Sequence, residues 1–252
     1  MTQAEKAELF HNLHVKGDPL VLYNIWDFGS ANAVTEAGAK AIATGSWSVA
    51  AAQGYADGEQ LPLDDLLSTA TQIVEGTSLP VSIDFEGGYA REPEPLAENI
   101  LRLIATGAVG INFEDQIVGS DGLYSIDEQA RRIRAIRSAA KSEGITLFIN
   151  ARTDIFLKSK PEDHSSHVSE AVERAVAYEK AGASGFFVPG LTQPELLGQI
   201  CDAVRLPVNA MSVKGALPIA EQAKLGVSRI SYGPGPYRQA MHDLEAKANE
   251  IY

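Results

Sequence analysis

The chain is short of cysteine, of long apolar runs and of positive charge, and each shortage removes a class of protein. Its one cysteine, Cys201, excludes a disulfide framework within the chain and points to a reducing, cytoplasmic setting. Cys201 lies in the apolar run LLGQICDAV and reads as a small core residue, not a nucleophile. No segment reaches the ~18 apolar residues needed to span a bilayer, and the charged start MTQAEKAELFHNLHVKGD is not a signal peptide. With 21 Lys and Arg against 33 Asp and Glu, the net charge of −12 argues against nucleic acid or an anionic membrane as partner. An anionic small molecule stays open, because a metal ion and one arginine can reverse the potential locally.

Familiar catalytic signatures are missing too. NIWDFGSANA lacks a GxGxxG pattern, which disfavours a dinucleotide fold. No HxH or CxxC spacing supports zinc, and no GxSxG elbow supports a serine hydrolase. No lysine falls inside a predicted strand, which disfavours a Schiff-base aldolase. His164 and His167 fall in KPEDHSSH, read as a solvated loop, and none of the five histidines sits at a predicted strand end. No proline-rich or low-complexity linker divides the 252 residues, so one domain is expected.

What is present is a rhythm of strand then helix. The pattern predicts strands over 20–26, 41–46, 80–86, 110–115, 147–153, 185–189, 207–211 and 228–232. Helical periodicity predicts 30–38, 62–75, 94–106, 126–143, 168–181, 193–204, 217–224 and 235–249. Ser125 to Glu128 resembles a capping box, Gln193-Pro194 suits a first turn, and AGA, ATG and KLG mark helix ends with glycine caps. Eight unbroken strand–helix pairs favour a closed (β/α)8 TIM-type barrel over an open sheet.

In such a barrel the strand C-termini meet on one face, and acidic residues sit where these strands end. Asp84 and Glu86 in PVSIDFEGGYA lie two apart and point the same way. Adjacent carboxylates repel unless a proton or cation separates them, and Mg²⁺ takes one or two direct carboxylates. Glu86 could instead cap the turn that follows. Glu114 in GINFEDQ shares the inward parity of Asn112 and suits an outer ligand through water, whereas Asp115 suits a loop anchor. Arg152, between Asn150 and Asp154, suits bidentate carboxylate binding, or else an internal salt bridge to Asp154 or Glu114. Asp57 taken alone reads as a turn aspartate.

Together NIWDFGSA, TGSWSVAAAQGYADGE, PVSIDFEGGYA, GINFEDQ, INARTD and SYGPGPYR resemble the isocitrate lyase/phosphoenolpyruvate mutase superfamily across nearly the whole chain. The resemblance implies a barrel whose last helix swaps between paired subunits, in a dimer or tetramer. It implies C–C or P–C chemistry beside a 2-oxo carboxylate, with Mg²⁺ or Mn²⁺ as cofactor. It casts Asp84 as direct metal ligand, with Asp57, Glu86 and Glu114 as ligands through water. Arg152 would grip the oxo-carboxylate end of a small anionic 2-oxo or 2-hydroxy acid. Gly45, Ser46 and Trp47 would cradle a carboxylate with backbone N–H groups, and Asn209 would help select the distal end. The chain lacks the KKCGH loop of the lyases, which disfavours an isocitrate or methylisocitrate lyase. Phosphonate-handling members tend to carry histidine where Pro189 stands. The reading is therefore a lyase of a small dicarboxylate such as oxaloacetate. Its rivals are P–C chemistry and a non-catalytic binding protein. Tyr55, Tyr124 or water are candidate proton donors.

Overall fold

A computed structural model describes residues 1–252. Eight parallel strands form the expected (β/α)8 TIM-type barrel: β1 (Leu20–Leu22), β2 (Ile42–Ala43), β3 (Val81–Asp84), β4 (Gly110–Glu114), β5 (Phe148–Arg152), β6 (Gly185–Phe187), β7 (Val208–Met211) and β8 (Arg229–Ser231). Ladders join every neighbour from β2 round to β8 and on to β1. Between β1 and β2 closure rests on a single parallel bridge, Ile25 to Thr44. Asn24 reinforces it: its amide donates to the Thr44 carbonyl, and its Oδ1 accepts from the N–H groups of Tyr232 and Gly233. One side chain thus ties the first, second and last strands at the C-terminal rim.

Ten α-helices accompany the strands: α1 (Gln3–Asn12), α2 (Phe28–Glu36), α3 (Ser46–Ala52), α4 (Leu63–Glu75), α5 (Pro93–Ala105), α6 (Ile126–Ser142), α7 (His164–Ala181), α8 (Pro194–Ala203), α9 (Ile219–Lys224) and α10 (Gly235–Asn249). Their inward stripes follow helical spacing, as with Leu66, Ala70 and Ile73 on α4 or Leu96, Ile100 and Leu103 on α5. The capping box at Ser125 and Glu128 forms, and Pro194 opens α8. Gly182 ends α7 at φ 106°, where a Cβ would also press on the Arg137 side chain.

Two helices lie outside the expected pattern. The first, α1, plugs the N-terminal end of the barrel: Ala7 and Phe10 pack with Leu20, Leu22, Ala43, Val109 and Phe148. His14 stacks on Phe148 with ring centroids 4.0 Å apart, and burial lowers its pKa to about 3. The second, α3, begins within the stretch expected to finish β2. His164 is a further correction, since it opens α7 fully buried and not in a solvated loop. Its ring nitrogens contact the Phe156 carbonyl and Gln193 Oε1. Cys201 is buried as expected, and burial pushes its thiol up to about 12, so it is inert. No helix is long and apolar enough to cross a membrane.

If α1 is the barrel's plug, Phe10→Ala should destabilise the protein by about 3–5 kcal/mol, the range for emptying a buried aromatic site. A denaturant midpoint equal to wild type would show that α1 merely rests on the surface.

Candidate active site

The C-terminal mouth holds a cavity of about 210 Å³ lined by polar and apolar side chains. Asp57, Asp84, Asn112 and Arg152 supply the polar part, with Gly45, Ser46 and Trp47 at the start of α3. Leu157, Phe187, Pro189 and Met211 also line the cavity, Phe187 as the register partner of Arg152. Alternation along the strands explains the polar part, because register pairs Asp84 with Asn112, and Glu114 with Arg152.

Asp84 Oδ2 accepts the Ser46 N–H at 3.0 Å, and its backbone N–H donates to Thr44 Oγ1. Its Oδ1 is buried and has no partner. The Ser46 N–H expected to cradle a ligand is thus already used, while the Trp47 N–H has no partner within its helix.

Glu86 lies behind the cavity wall. Its Oε2 accepts from the N–H groups of Gly58 and Glu59, both at 2.9 Å, and so pins the loop that carries Asp57. Glu59 returns the contact, accepting the Tyr89 N–H at 2.7 Å. Glu59, Glu86 and Tyr89 are the three non-glycine residues with positive φ, at 57°, 48° and 57°. Strain held at this one junction by its own hydrogen bonds fits a functional site.

Arg152 makes both ion pairs that its position allowed. Nε and Nη2 bind Asp154 at 2.5 and 2.9 Å, and Nη1 binds Glu114 at 3.1 Å. Of the five N–H bonds on a guanidinium, two are given to Asp154, while Glu114 faces Nη1 as an ion pair, so N–H bonds are left for a ligand. An internal salt bridge and a ligand grip are therefore compatible. Burial opposes its charge, but Glu114 and Asp154 outweigh that and raise its pKa. Asp115 anchors the surroundings as expected, accepting from the Asp154 N–H, Arg174 and the Tyr178 hydroxyl.

Burial and mutual repulsion push the site carboxyls upward. Glu86 rises to about 8 through burial, then the charges of Asp57 and Asp84. Glu114 rises through burial and the charges of Asp154, Asp84 and Glu86, against Arg152. Burial and Asp84 raise Asp57. Donors that are all oxygen, electrostatically frustrated and with one orphaned carboxylate oxygen on Asp84 have the chemistry that Mg²⁺ or Mn²⁺ takes.

Asn209 does not reach the cavity. It is fully buried one layer below, bonded to Ser231, and Met211 two residues on takes the wall position. Neither Tyr55 nor Tyr124 lines the cavity. The residues that sequence reasoning missed are Asn24, Asn112, Met211, Ser231 and the buried Arg229. Asn112 was legible, because it shares the inward parity of Glu114.

A parallel barrel builds its active site at the C-terminal mouth, where this chain gathers its oxygen donors. The phosphoenolpyruvate phosphomutase family model matches residues 10–252, and the chain belongs to that family, within the isocitrate lyase/phosphoenolpyruvate mutase superfamily. A crystal structure from Burkholderia cenocepacia J2315, provisionally called a phosphonomutase, is 47% identical with a TM-score of 0.96, covering 98% of this chain and 99% of that one. The 2-methylisocitrate lyase of Escherichia coli K12 is 26% identical, over 100% of this chain and 85% of its own. The oxaloacetate decarboxylase of Paraburkholderia xenovorans is 27% identical, over 84% and 70% respectively. The protein is accordingly an enzyme of lyase or phosphomutase type.

The raised carboxyls bind protons more tightly folded than unfolded, so they stabilise the fold at low pH and lose that contribution as pH climbs through their folded pKa values. In metal-free protein the thermal midpoint should fall between pH 5 and pH 8, and Mg²⁺ should raise it more at pH 8 than at pH 5. A metal-free midpoint that climbs across this window would contradict the charge arrangement.

Proposed function

We propose that the protein is a Mg²⁺-dependent lyase. It acts on a small 2-oxo or 2-hydroxy dicarboxylate such as oxaloacetate, by C–C cleavage or decarboxylation through an enolpyruvate-like intermediate. Asp84 would hold the cation directly, with Asp57, Glu86 and Glu114 as partners through water. When bound, the cation supplies Lewis acidity and a template for the acid's oxygens. Arg152, with the N–H bonds that Asp154 does not take, and the Trp47 N–H would face the negative charge that develops on the oxo-carboxylate end. Glu114 and Asp154 keep the Arg152 fork at a fixed angle. With no tyrosine lining the cavity, water is the proton source that the geometry favours.

The observation that carries this reading is the single cationic side chain of the cavity lining. Arg152, beside Phe187 in the β5–β6 ladder, is the one lysine, arginine or histidine in the cavity lining, and Leu157, Pro189 and Met211 add no further cation. A carboxylate leaving as CO2 sheds its charge, and apolar surroundings favour that loss. A phosphonate keeps its charge and would compete with the oxo-carboxylate end for that one guanidinium. P–C chemistry remains the second reading, favoured by the likeness to the Burkholderia protein.

With Mg²⁺, oxaloacetate should turn over and phosphonopyruvate should not. Arg152→Lys, which loses the fork, should lower kcat/KM by roughly 10²–10³, and Asp84→Asn by at least as much. Turnover of phosphonopyruvate alone would favour the second reading. Turnover of neither acid would make this a binding protein or assign it another substrate.

Assembly belongs to the same proposal. Beyond its first turn, where Tyr237 meets Trp26 and Trp47, α10 does not settle on its own barrel. Met241 and Leu244 are 38% and 64% exposed, and a groove of about 540 Å³ lies between the helix and the 23–27 segment with α2. A helix this short with an uncovered apolar stripe calls for a partner surface. We expect a dimer or tetramer with α10 in the interface. Light scattering on a chain lacking residues 236–252 should show loss of the assembly; an intact, active oligomer would remove α10 from it.

A further inference from the structure

Below the cavity floor, inside the barrel, lies a guanidinium that the site as described does not use. Arg229 on β8 is 1% exposed, and its Nη1 has no partner. Its Nη2 donates to Asn112 Oδ1 at 3.2 Å, and its Nε lies 3.4 Å from Ser231 Oγ. The same Asn112 oxygen accepts from Asn150 Nδ2 at 2.8 Å. Asn112 and Ser231 line the cavity above.

The chemistry of these groups leaves one arrangement. Amides facing only each other can reverse together, since each end both donates and accepts. A guanidinium has donors alone, so Asn112 must turn its oxygen down to Arg229. Its Nδ2 is then the end left to face the cavity, and no protein acceptor takes it. A neutral donor is thereby fixed beside Asp84, its register partner, where a further cation would compete with a bound metal ion.

We propose that Asn112 is a substrate-positioning donor to an anionic oxygen of the bound acid, and that Arg229 is the positioning residue that locks it in the donating orientation. The proposal rests on the reading of the cavity as a 2-oxo acid site. Asn112 supplies a contact that Arg152 cannot, because it rises from the floor on β4 and stays uncharged. Arg229 sets the sense of that contact without touching the acid.

The test is calorimetric binding of oxalate, a two-carbon mimic of an enolpyruvate, at saturating Mg²⁺. Asn112→Asp keeps the acceptor for Arg229 but exchanges the upward donor for an oxygen, and should weaken oxalate by about 100-fold, the scale of one hydrogen bond to a charged group. Arg229→Met removes the lock and should weaken it by about tenfold, with the thermal midpoint reporting that the fold persists. Arg229→Lys, again a donor-only group, should return the affinity to within about threefold of wild type. Wild-type affinity in Arg229→Met or Asn112→Asp would overturn the proposal, as would Arg229→Lys binding no better than Arg229→Met. Failure of the wild type to bind oxalate at all would overturn both the proposal and the reading beneath it.

Discussion

Repulsion among carboxylates at the barrel mouth is the constraint from which the rest of the site follows. Asp57, Asp84, Glu86, Glu114 and Asp154 crowd one rim, and Arg152 is the one guanidinium that pairs with any of them. Burial itself opposes their charge and repulsion adds to it, which is why Glu86 is pushed up to about 8 and Glu114 upward with it. The fold answers with N–H groups: Gly58 and Glu59 to Glu86, and Ser46 to Asp84. What these donors leave over is one oxygen of Asp84 with no partner, aligned with the chemistry of a divalent cation.

Meeting that constraint shapes the backbone around it. The three non-glycine residues at positive φ all belong to the lock between the 57–59 loop and the 86–89 turn. Asn24 performs a parallel task at the barrel seam, where a single bridge stands in for a ladder. The rim is therefore rigid on the carboxylate side before any ligand arrives, the preorganisation that charge stabilisation requires. Beneath it, the interior holds Asn112, Asn150, Asn209 and Arg229 where many barrels place branched aliphatics. These groups contribute orientation to the floor at the cost of burying charge.

Much of this was legible from residue order. The strands betrayed themselves by apolar runs ending in acids, and period-two parity placed Asp84, Glu114 and Arg152 on the inward side. Parity does not say how deep a residue sits. Asn209 and Met211 share a parity, yet one is buried in the layer below and the other forms the wall, because that depends on where the strand starts in the barrel. The short run SWSVAAA mixes small apolar and polar residues, so it carried neither a strand nor a helix period and α3 went unseen. His164 sits among Lys, Glu, Asp and Ser, and its burial is decided by how α7 docks on Phe156. Arg229 in SRISY gives no local sign that its partners come from β4.

The central claim is that this carboxylate cluster and Arg152 together hold a divalent cation and a 2-oxo acid as a coupled pair. Manganese is the direct reporter, since the resonance of the free hexaaqua ion fades as it binds. Titrating the protein with Mn²⁺ in the absence and presence of oxalate should show binding that tightens when oxalate is added, and by linkage oxalate binding that tightens with Mn²⁺. Mn²⁺ that fails to bind, or that binds with the same affinity whether or not oxalate is present, would contradict the account.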